Sequence, residues 1–344
     1  MIWIRADGGK EIGTGHVMRC LSIADALRQM GEEVCFLLAD DSAVPLLERC
    51  DQKYRILNSS YQHPERELET LLPLLAECSN SVFLADSYYV TDTYLRCIRD
   101  YMPVCYMDDR AISGLPVDLL INYNIFADAS LYECPNDKRT SYLLGTEYAP
   151  LRREFKEVPY QVRDRVKRVL LTTGGSDKYN LAGKILEEVL ANEETKSLEY
   201  CVVSGAYNEY LPNLLEIGRE HPQVQILNNV TDMSELMRTC DIAVTAGGST
   251  MYELSAVGVP IICFSYVDNQ EKNVEGFRDR NIVCFGGDYL RQGDKMVRDV
   301  ADHIRLLCRD LEQRKSYNKR QKALVDGRGA MRIADRLCRL QKRE

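Results

Sequence analysis

A chain of 344 residues exceeds what one hydrophobic core usually supports, and 45% hydrophobic against 28% charged residues is ordinary globular material for two. A formal charge of -8 argues against a duplex-binding surface, which needs a basic face, so nucleic acid is not an expected partner. No apolar stretch approaches the length of a membrane span. Arg5, Asp7 and Lys10 interrupt the first apolar run before a secretory segment forms, so the expected location is cytoplasmic.

The thirteen cysteines are odd in number and scattered, form no CxxC pair, and meet only four histidines. They read as buried, reduced thiols, and neither a metal nor a cofactor is expected. The basic run Arg328, Arg332, Arg336, Arg339, Lys342 and Arg343 reads as a solvated helix end, with cations near its negative pole. Oligomeric state is left open.

In chain order, strand-like runs fall at Ile2–Arg5, Glu33–Leu38, Tyr54–Leu57, Val82–Ala85, Val104–Met107 and Leu119–Ile121. Helical patterns separate them at His16–Met30, Val44–Arg49, Pro64–Glu77 and Asp92–Tyr101. The second half repeats the alternation, with strands at Arg168–Thr172, Glu199–Ser204, Gln225–Leu227, Ile242–Val244 and Ile261–Phe264. Helices follow at Leu181–Leu190, Glu209–Gly218, Met233–Arg238, Thr250–Val257 and Gln270–Asp279. Pro150, Arg152, Arg153, Glu154 and Pro159 break both periodicities, which marks a connection between domains; Arg152 within it is a candidate substrate contact. The expected fold class is α/β, two Rossmann-like doubly wound parallel-sheet domains facing a crevice, spanning 1–150 and 151–290, with a helical tail over 291–344.

Ligands of such folds bind where strands end, so loops that follow strands carry the information. Arg5-Ala-Asp-Gly-Gly-Lys-Glu-Ile-Gly-Thr-Gly-His16 follows the first strand and opens a helix. Gly13 and Gly15 free the backbone for close ligand approach, and its spacing matches neither the dinucleotide nor the P-loop pattern. A helix start disfavours imidazolium, so His16 is expected neutral and able to accept a proton; a capping or packing histidine is the plain alternative. After the fourth and fifth strands come Asp86-Ser-Tyr88-Tyr89 and Asp108-Asp109. A carboxylate there either orients the histidine through its other ring nitrogen or holds sugar hydroxyls; otherwise Asp86 is a helix cap and the Asp108 pair a turn.

In the second half, Gly174-Gly175-Ser176 and Gly248-Ser249-Thr250 each follow a strand and precede a helix. Two such turns offer backbone N–H groups to two phosphates, and Glu253, one turn into its helix, suits the paired hydroxyls of a ribose. Asn269 and Gln270 start another helix, as a cap or as ligand contacts.

The run Arg5-Ala-Asp…Ile-Gly-Thr-Gly-His-Val-Met-Arg-Cys, with Gly-Gly-Ser-Asp, Ala-Gly-Gly-Ser-Thr…Glu-Leu and Asp-Asn-Gln, resembles the UDP-sugar hydrolases of pseudaminic acid biosynthesis, the PseG/SpsG family, and their spore-coat polysaccharide relatives. That family is similar in architecture to GT-B glycosyltransferases. The resemblance implies metal-free hydrolysis of UDP-2,4-diacetamido-2,4,6-trideoxy-β-L-altropyranose with inversion, a catalytic first domain and a UDP-binding second. It places the catalytic histidine at His16, the tyrosine after the fourth strand at Tyr88 and the acidic pair at Asp108 and Asp109. The nucleotide turn and glutamate fall on Gly174, Gly175, Ser176 and Glu253. The rival readings are a GT-B transferase that needs an acceptor, and a non-catalytic nucleotide-sugar binder.

Overall fold

Both halves of the alternation become parallel sheets, in a computed structural model that describes residues 1–9, 12–132, 140–205, 207–228 and 230–342. Lys10, Arg343 and one cysteine, Cys134, lie outside the described residues; the twelve described cysteines are all unbridged.

The first sheet is built from β1 (Ile2–Ala6), β2 (Val34–Leu38), β3 (Tyr54–Ile56), β4 (Val82–Asp86), β5 (Val104–Met107), β6 (Leu119–Asn122) and β7 (Ser141–Leu144). Its helices are α1 (Gly15–Gln29), α2 (Val44–Arg49), α3 (Leu68–Ala76) and α4 (Asp92–Arg99). The spatial order is β3-β2-β1-β4-β5-β6-β7, all parallel, so the chain reverses direction across the sheet between β1 and β4. β1 lies central, pairing Ile2 with Val34 on one side and with Val82 on the other. All five of its residues are buried, so its apolar residues do not alternate with exposed ones, and Arg5 is buried among them.

The second sheet holds β8 (Arg168–Thr172), β9 (Glu199–Ser204), β10 (Val224–Asn228), β11 (Ile242–Ala246), β12 (Ile261–Ser265) and β13 (Cys284–Asp288). Its order, β10-β9-β8-β11-β12-β13, repeats that of the first, with the reversal between β8 and β11. Between its strands run α5 (Leu181–Ala191), α6 (Leu211–Glu220), α7 (Met233–Thr239), α8 (Thr250–Val257) and α9 (Glu271–Asp279), and α10 (Tyr289–Gln292), α11 (Asp294–Arg309) and α12 (Leu311–Leu324) follow. Residues Met296, Val297, Val300, Ala301, Ile304 and Leu307 form the apolar stripe of α11, at helical spacing, and join the core of this sheet.

Two strands were not legible as such. β13 reads Cys-Phe-Gly-Gly-Asp, and glycines weaken a strand pattern. Here the close approach of α11 requires one: a Cβ on Gly286 would fall 2.4 Å from Cγ2 of Val300. β7 is a half-exposed edge strand of four residues without clear alternation.

The chain divides into two compact units, one formed by Met1–Arg153 with Gly327–Glu344, the other by Glu154–Asp326. The helices after residue 290 therefore do not form one body. α11 and α12 belong to the second unit, whereas α13 (Gly329–Gln341) packs on α1 in the first. Arg336 of α13 donates to the Ser141 hydroxyl of β7 (3.0 Å), and Arg332 donates to the Glu147 carbonyl (2.8 Å).

Leu337 of α13 is fully buried. Leu337→Ala is expected to destabilise the first unit by about 2–5 kcal/mol through lost burial and the cavity left behind. The single tryptophan, Trp3, is buried in β1 of that unit, so its fluorescence in a denaturant titration should report the loss.

Candidate active site

At the carboxyl end of the first sheet, α1 begins directly after its glycine-rich approach, with Thr14 at the N-cap and His16 the second helical residue. The loop folds back on itself: the Gly9 amide donates to the Gly13 carbonyl (3.0 Å), and Gly13 has φ +74°. His16 is half-buried, and its ring meets that of Tyr88 edge to face at 4.6 Å between centroids. Neither ring nitrogen has a hydrogen-bond partner among the described residues.

The carboxylates expected to orient this histidine are engaged elsewhere. Three residues along α1, Arg19 donates through Nε to Asp86 Oδ2 (2.5 Å) and through Nη2 to Asp86 Oδ1. Its Nη1 reaches both oxygens of Asp109 (2.9 and 2.8 Å) and the Tyr123 hydroxyl (3.1 Å). Asp109 also accepts from the Tyr88 hydroxyl (2.9 Å) and the Asn124 side-chain amide (3.3 Å). A carboxylate–histidine dyad is therefore not formed, because a guanidinium fork binds a carboxylate more favourably than a neutral imidazole does. Nor does Asp86 cap the helix after it; Thr91 does, accepting from the Tyr94 amide.

Asp108 faces away from this cluster's cation. Its oxygens accept from the Arg110 amide (2.9 Å), the Ile112 amide (3.0 Å) and the Tyr132 hydroxyl (2.7 Å), which shapes the turn after β5. Arg110 in turn lies over the Tyr88 ring at 5.3 Å and donates to the Tyr88 carbonyl (3.0 Å), so Tyr88 is held from several sides. Arg152 is half-buried in the segment that closes the first unit, after β7.

Burial pushes the His16 imidazole down from its ordinary value; Asp86 pulls it up, Arg19 pushes it down and Asp109 pulls it up, and the net is a lowered proton affinity. Burial acts to raise the Asp109 carboxyl, but its contacts with Arg19 outweigh this and hold it below the usual carboxylate range. The site thus combines an imidazole of lowered proton affinity with an Asp109 carboxylate that Arg19 keeps ionised.

Beneath it lies a second buried ion cluster. Arg5 forks onto Glu67 (2.9 and 2.6 Å) and reaches Asp7 (2.5 Å), while Tyr94 and Ser59 hydroxyls also donate to Glu67. Asp7 accepts from the Ala39 amide as well (2.9 Å), which ties the loop after β1 to the end of β2.

In the second unit the two glycine turns differ. After β8, Gly175 and Ser176 are exposed, but Asp177 accepts from the amides of Leu181 (2.7 Å) and Ala182 (2.8 Å). A carboxylate therefore already satisfies the start of α5. The turn itself is fixed from outside: the Tyr266 hydroxyl bonds the carbonyls of Thr173 (3.0 Å) and Ser176 (2.9 Å). Gly205 permits close contact, since a Cβ there would lie 2.2 Å from the Gly174 carbonyl oxygen.

The start of α8 is open. Ser249 makes no side-chain capping bond, and the amides of Ser249 and Thr250 have no acceptor among the described residues. Glu253 lies half-buried one turn along. Gln270 is used internally, its Oε1 accepting from the Tyr266 amide (3.2 Å), whereas Asn269 is exposed. Among the described residues, no group of three His, Cys, Asp or Glu side chains is arranged to hold a metal.

Arg19, Tyr123, Asn124, Tyr132 and Tyr266 were not foreseen as parts of these loops. Arg19 carried a usable signal, its i+3 position from His16 on one helix face. The tyrosines and Asn124 are placed by long-range pairing that one sequence does not reveal.

Two doubly wound parallel units of this order define a GT-B-like fold. A structure of MurG from Acinetobacter baumannii matches it with a TM-score of 0.70, 13% identity and coverage of 98% of this chain and 99% of that one. Residues 169–330 match the glycosyltransferase family 28 C-terminal domain. The spore coat polysaccharide biosynthesis protein SpsG of Bacillus subtilis is 25% identical over 100% of this chain and 99% of its own. The UDP-2,4-diacetamido-2,4,6-trideoxy-beta-L-altropyranose hydrolase of Campylobacter jejuni is 22% identical, covering 78% of this chain and 93% of its own. A Methanocaldococcus jannaschii protein is 27% identical over 76% of this chain, which spans 54% of that relative's length. The chain is thus similar both to sugar-nucleotide hydrolases and to glycosyltransferases.

Asp108→Ala leaves two backbone amides and a tyrosine hydroxyl without their acceptor. With each orphaned buried group costing about 1–3 kcal/mol, a clear fall in the unfolding midpoint is expected. Thermal denaturation followed by circular dichroism checks it.

Proposed function

We propose that the protein hydrolyses a UDP-linked deoxy-diacetamido sugar at its anomeric carbon with inversion, with UDP-2,4-diacetamido-2,4,6-trideoxy-β-L-altropyranose as the candidate substrate. The observation that carries this reading is His16, an unpaired imidazole of lowered proton affinity at a helix start. Such a group accepts a proton from water at neutral pH, which is the task that remains once the leaving group is a stable anion. Similarity to the Campylobacter hydrolase supports the substrate class.

In this reaction the water oxygen forms a bond to the anomeric carbon as the bond from that carbon to the diphosphate oxygen breaks. The water proton passes to His16 and UDP departs with the bonding pair. Attack on the face opposite the leaving group inverts the configuration, as in inverting glycoside hydrolysis. Tyr88, Asp86 and Asp109 are assigned to the sugar site, with Asp86 and Asp109 acting through Arg19. The diphosphate is assigned to the second unit, chiefly to Gly248, Ser249 and Thr250, whose open helix start offers amides and a positive dipole end to negative charge. The turn at Gly174, Gly175 and Ser176 is a lesser contributor, because Asp177 already occupies its helix start. Glu253 takes the ribose hydroxyls.

The family 28 match over residues 169–330 favours a second reading, transfer of the sugar to an acceptor. UDP release in buffer without any acceptor, with free sugar of inverted anomeric configuration seen by NMR across a panel of UDP-linked amino sugars, supports hydrolysis. Strict dependence on an acceptor supports transfer instead.

His16→Ala should lower turnover by about 10²–10⁴-fold while leaving UDP affinity nearly unchanged in calorimetry. Full activity in that variant would remove His16 from the mechanism. Glu253→Ala should do the reverse, weakening UDP binding. Because the His16 proton affinity lies below the ordinary imidazole value, kcat/KM should be level at neutral pH and fall only on acidification, with its midpoint below about 6.5.

A further inference from the structure

We propose that Arg19 is the positioning residue of this site: its one guanidinium ties Asp86 to Asp109 and keeps both carboxylates off His16, leaving the imidazole as an unpaired proton acceptor. The inference concerns how the proposed base is kept free, and in that sense it rests on the hydrolytic reading.

His16 and Arg19 are three residues apart on α1 and so share a helix face. Two acids converge on that face, Asp86 at the end of β4 and Asp109 after β5. Arg19 spends its donors on them in a planar arrangement that an ammonium cannot copy, two to Asp86 and one shared by both oxygens of Asp109, with Tyr123 completing the set. Asp86 is fully buried, and a buried carboxylate must find a cation or a donor. Asp86 is the charge that pulls the His16 proton affinity up most, so without Arg19 the imidazolium would compensate it, and the base would arrive at the reaction already protonated.

Among the described residues, the charged and titratable groups that act on His16 are Asp7 from the loop after β1, Arg19 on α1, Asp86 and Tyr88 from β4 and its loop, and Asp109 after β5. Three of the four charges among them are negative. Arg19 is the sole cation in this set, which makes the sign of its effect testable.

The test is a ¹H NMR titration of the ring protons in the full chain without substrate. The chain has only four histidines, so the His16 signal is assigned as the one lost in His16→Ala. Arg19→Met should raise the His16 midpoint by roughly 1–3 pH units, as expected when an imidazole gains nearby uncompensated carboxylates. Asp109→Asn, which leaves Arg19 paired with Asp86, should move the midpoint down. Arg19→Lys, which keeps the charge but cannot span both carboxylates, should leave the midpoint between those of the unaltered protein and Arg19→Met.

Equal midpoints in the unaltered protein, Arg19→Met and Asp109→Asn would overturn the proposal, as would shifts of the same sign in the two variants. If Arg19→Met does not fold, Arg19→Lys decides: a midpoint raised above that of the unaltered protein supports the proposal, and an unchanged or lowered one ends it. Since the titration needs no turnover, failure to release UDP from any UDP-sugar would sink the hydrolytic reading while leaving this result standing.

Discussion

A strand that pairs in parallel with its neighbour cannot return through a tight turn; the chain must cross the whole sheet, usually as a helix, before it can pair again. In both units every strand is bound by that rule, so every loop leaving a strand emerges at the same sheet edge. In the first sheet this gathers the ends of β1, β4, β5 and β6, which are separated in sequence by up to about a third of the chain. His16, Asp86, Tyr88, Asp109 and Tyr123 are brought together by strand direction, before any side chain has contributed. The reversal of strand order between β1 and β4 opens the position that α1 enters, and it recurs between β8 and β11, where the glycine turns lie.

Within that frame the electrostatics are a matter of which group reaches the acids first. Carboxylates removed from water need compensation, and a forked guanidinium supplies it with fixed geometry. The consequence is a division of charge: Arg19 with Asp86 and Asp109 forms the ionised part, and His16 beside them stays uncharged. Arg5 with Asp7 and Glu67 repeats the device, and Asp7 there also ties the glycine-rich loop to the end of β2. Buried ion clusters contribute little net stability compared with apolar packing, so their value here lies in holding geometry.

Much of this was legible in the chain. Strands such as Val104–Met107, and Val169–Leu171 within β8, are short apolar runs between amphipathic segments, and their boundaries follow closely. His16 stood out because a glycine-rich loop after a strand leads into it. What escaped depended on contacts distant in sequence. Asp86 looked like a partner for the histidine, and only the fold shows that Arg19 claims it. The two Gly-Gly-Ser turns looked equivalent, yet Asp177 accepts from the first amides of α5, and among the described residues no side chain does the same for α8. β13 was hidden by the glycine that lets α11 approach, a packing requirement that weakens the local pattern.

The return of α13 to the first unit has a consequence for synthesis. The second unit is one continuous segment, Glu154–Asp326, and can close as soon as it leaves the ribosome. The first unit has to wait. Its early strands and α1 are made at the start, but the helix that covers α1 ends at Gln341. At about 5–20 residues per second that interval lasts on the order of 15–60 s. Throughout it the side of α1 that α13 later covers stays open to water or to a chaperone, so the later-made unit is the earlier one to mature.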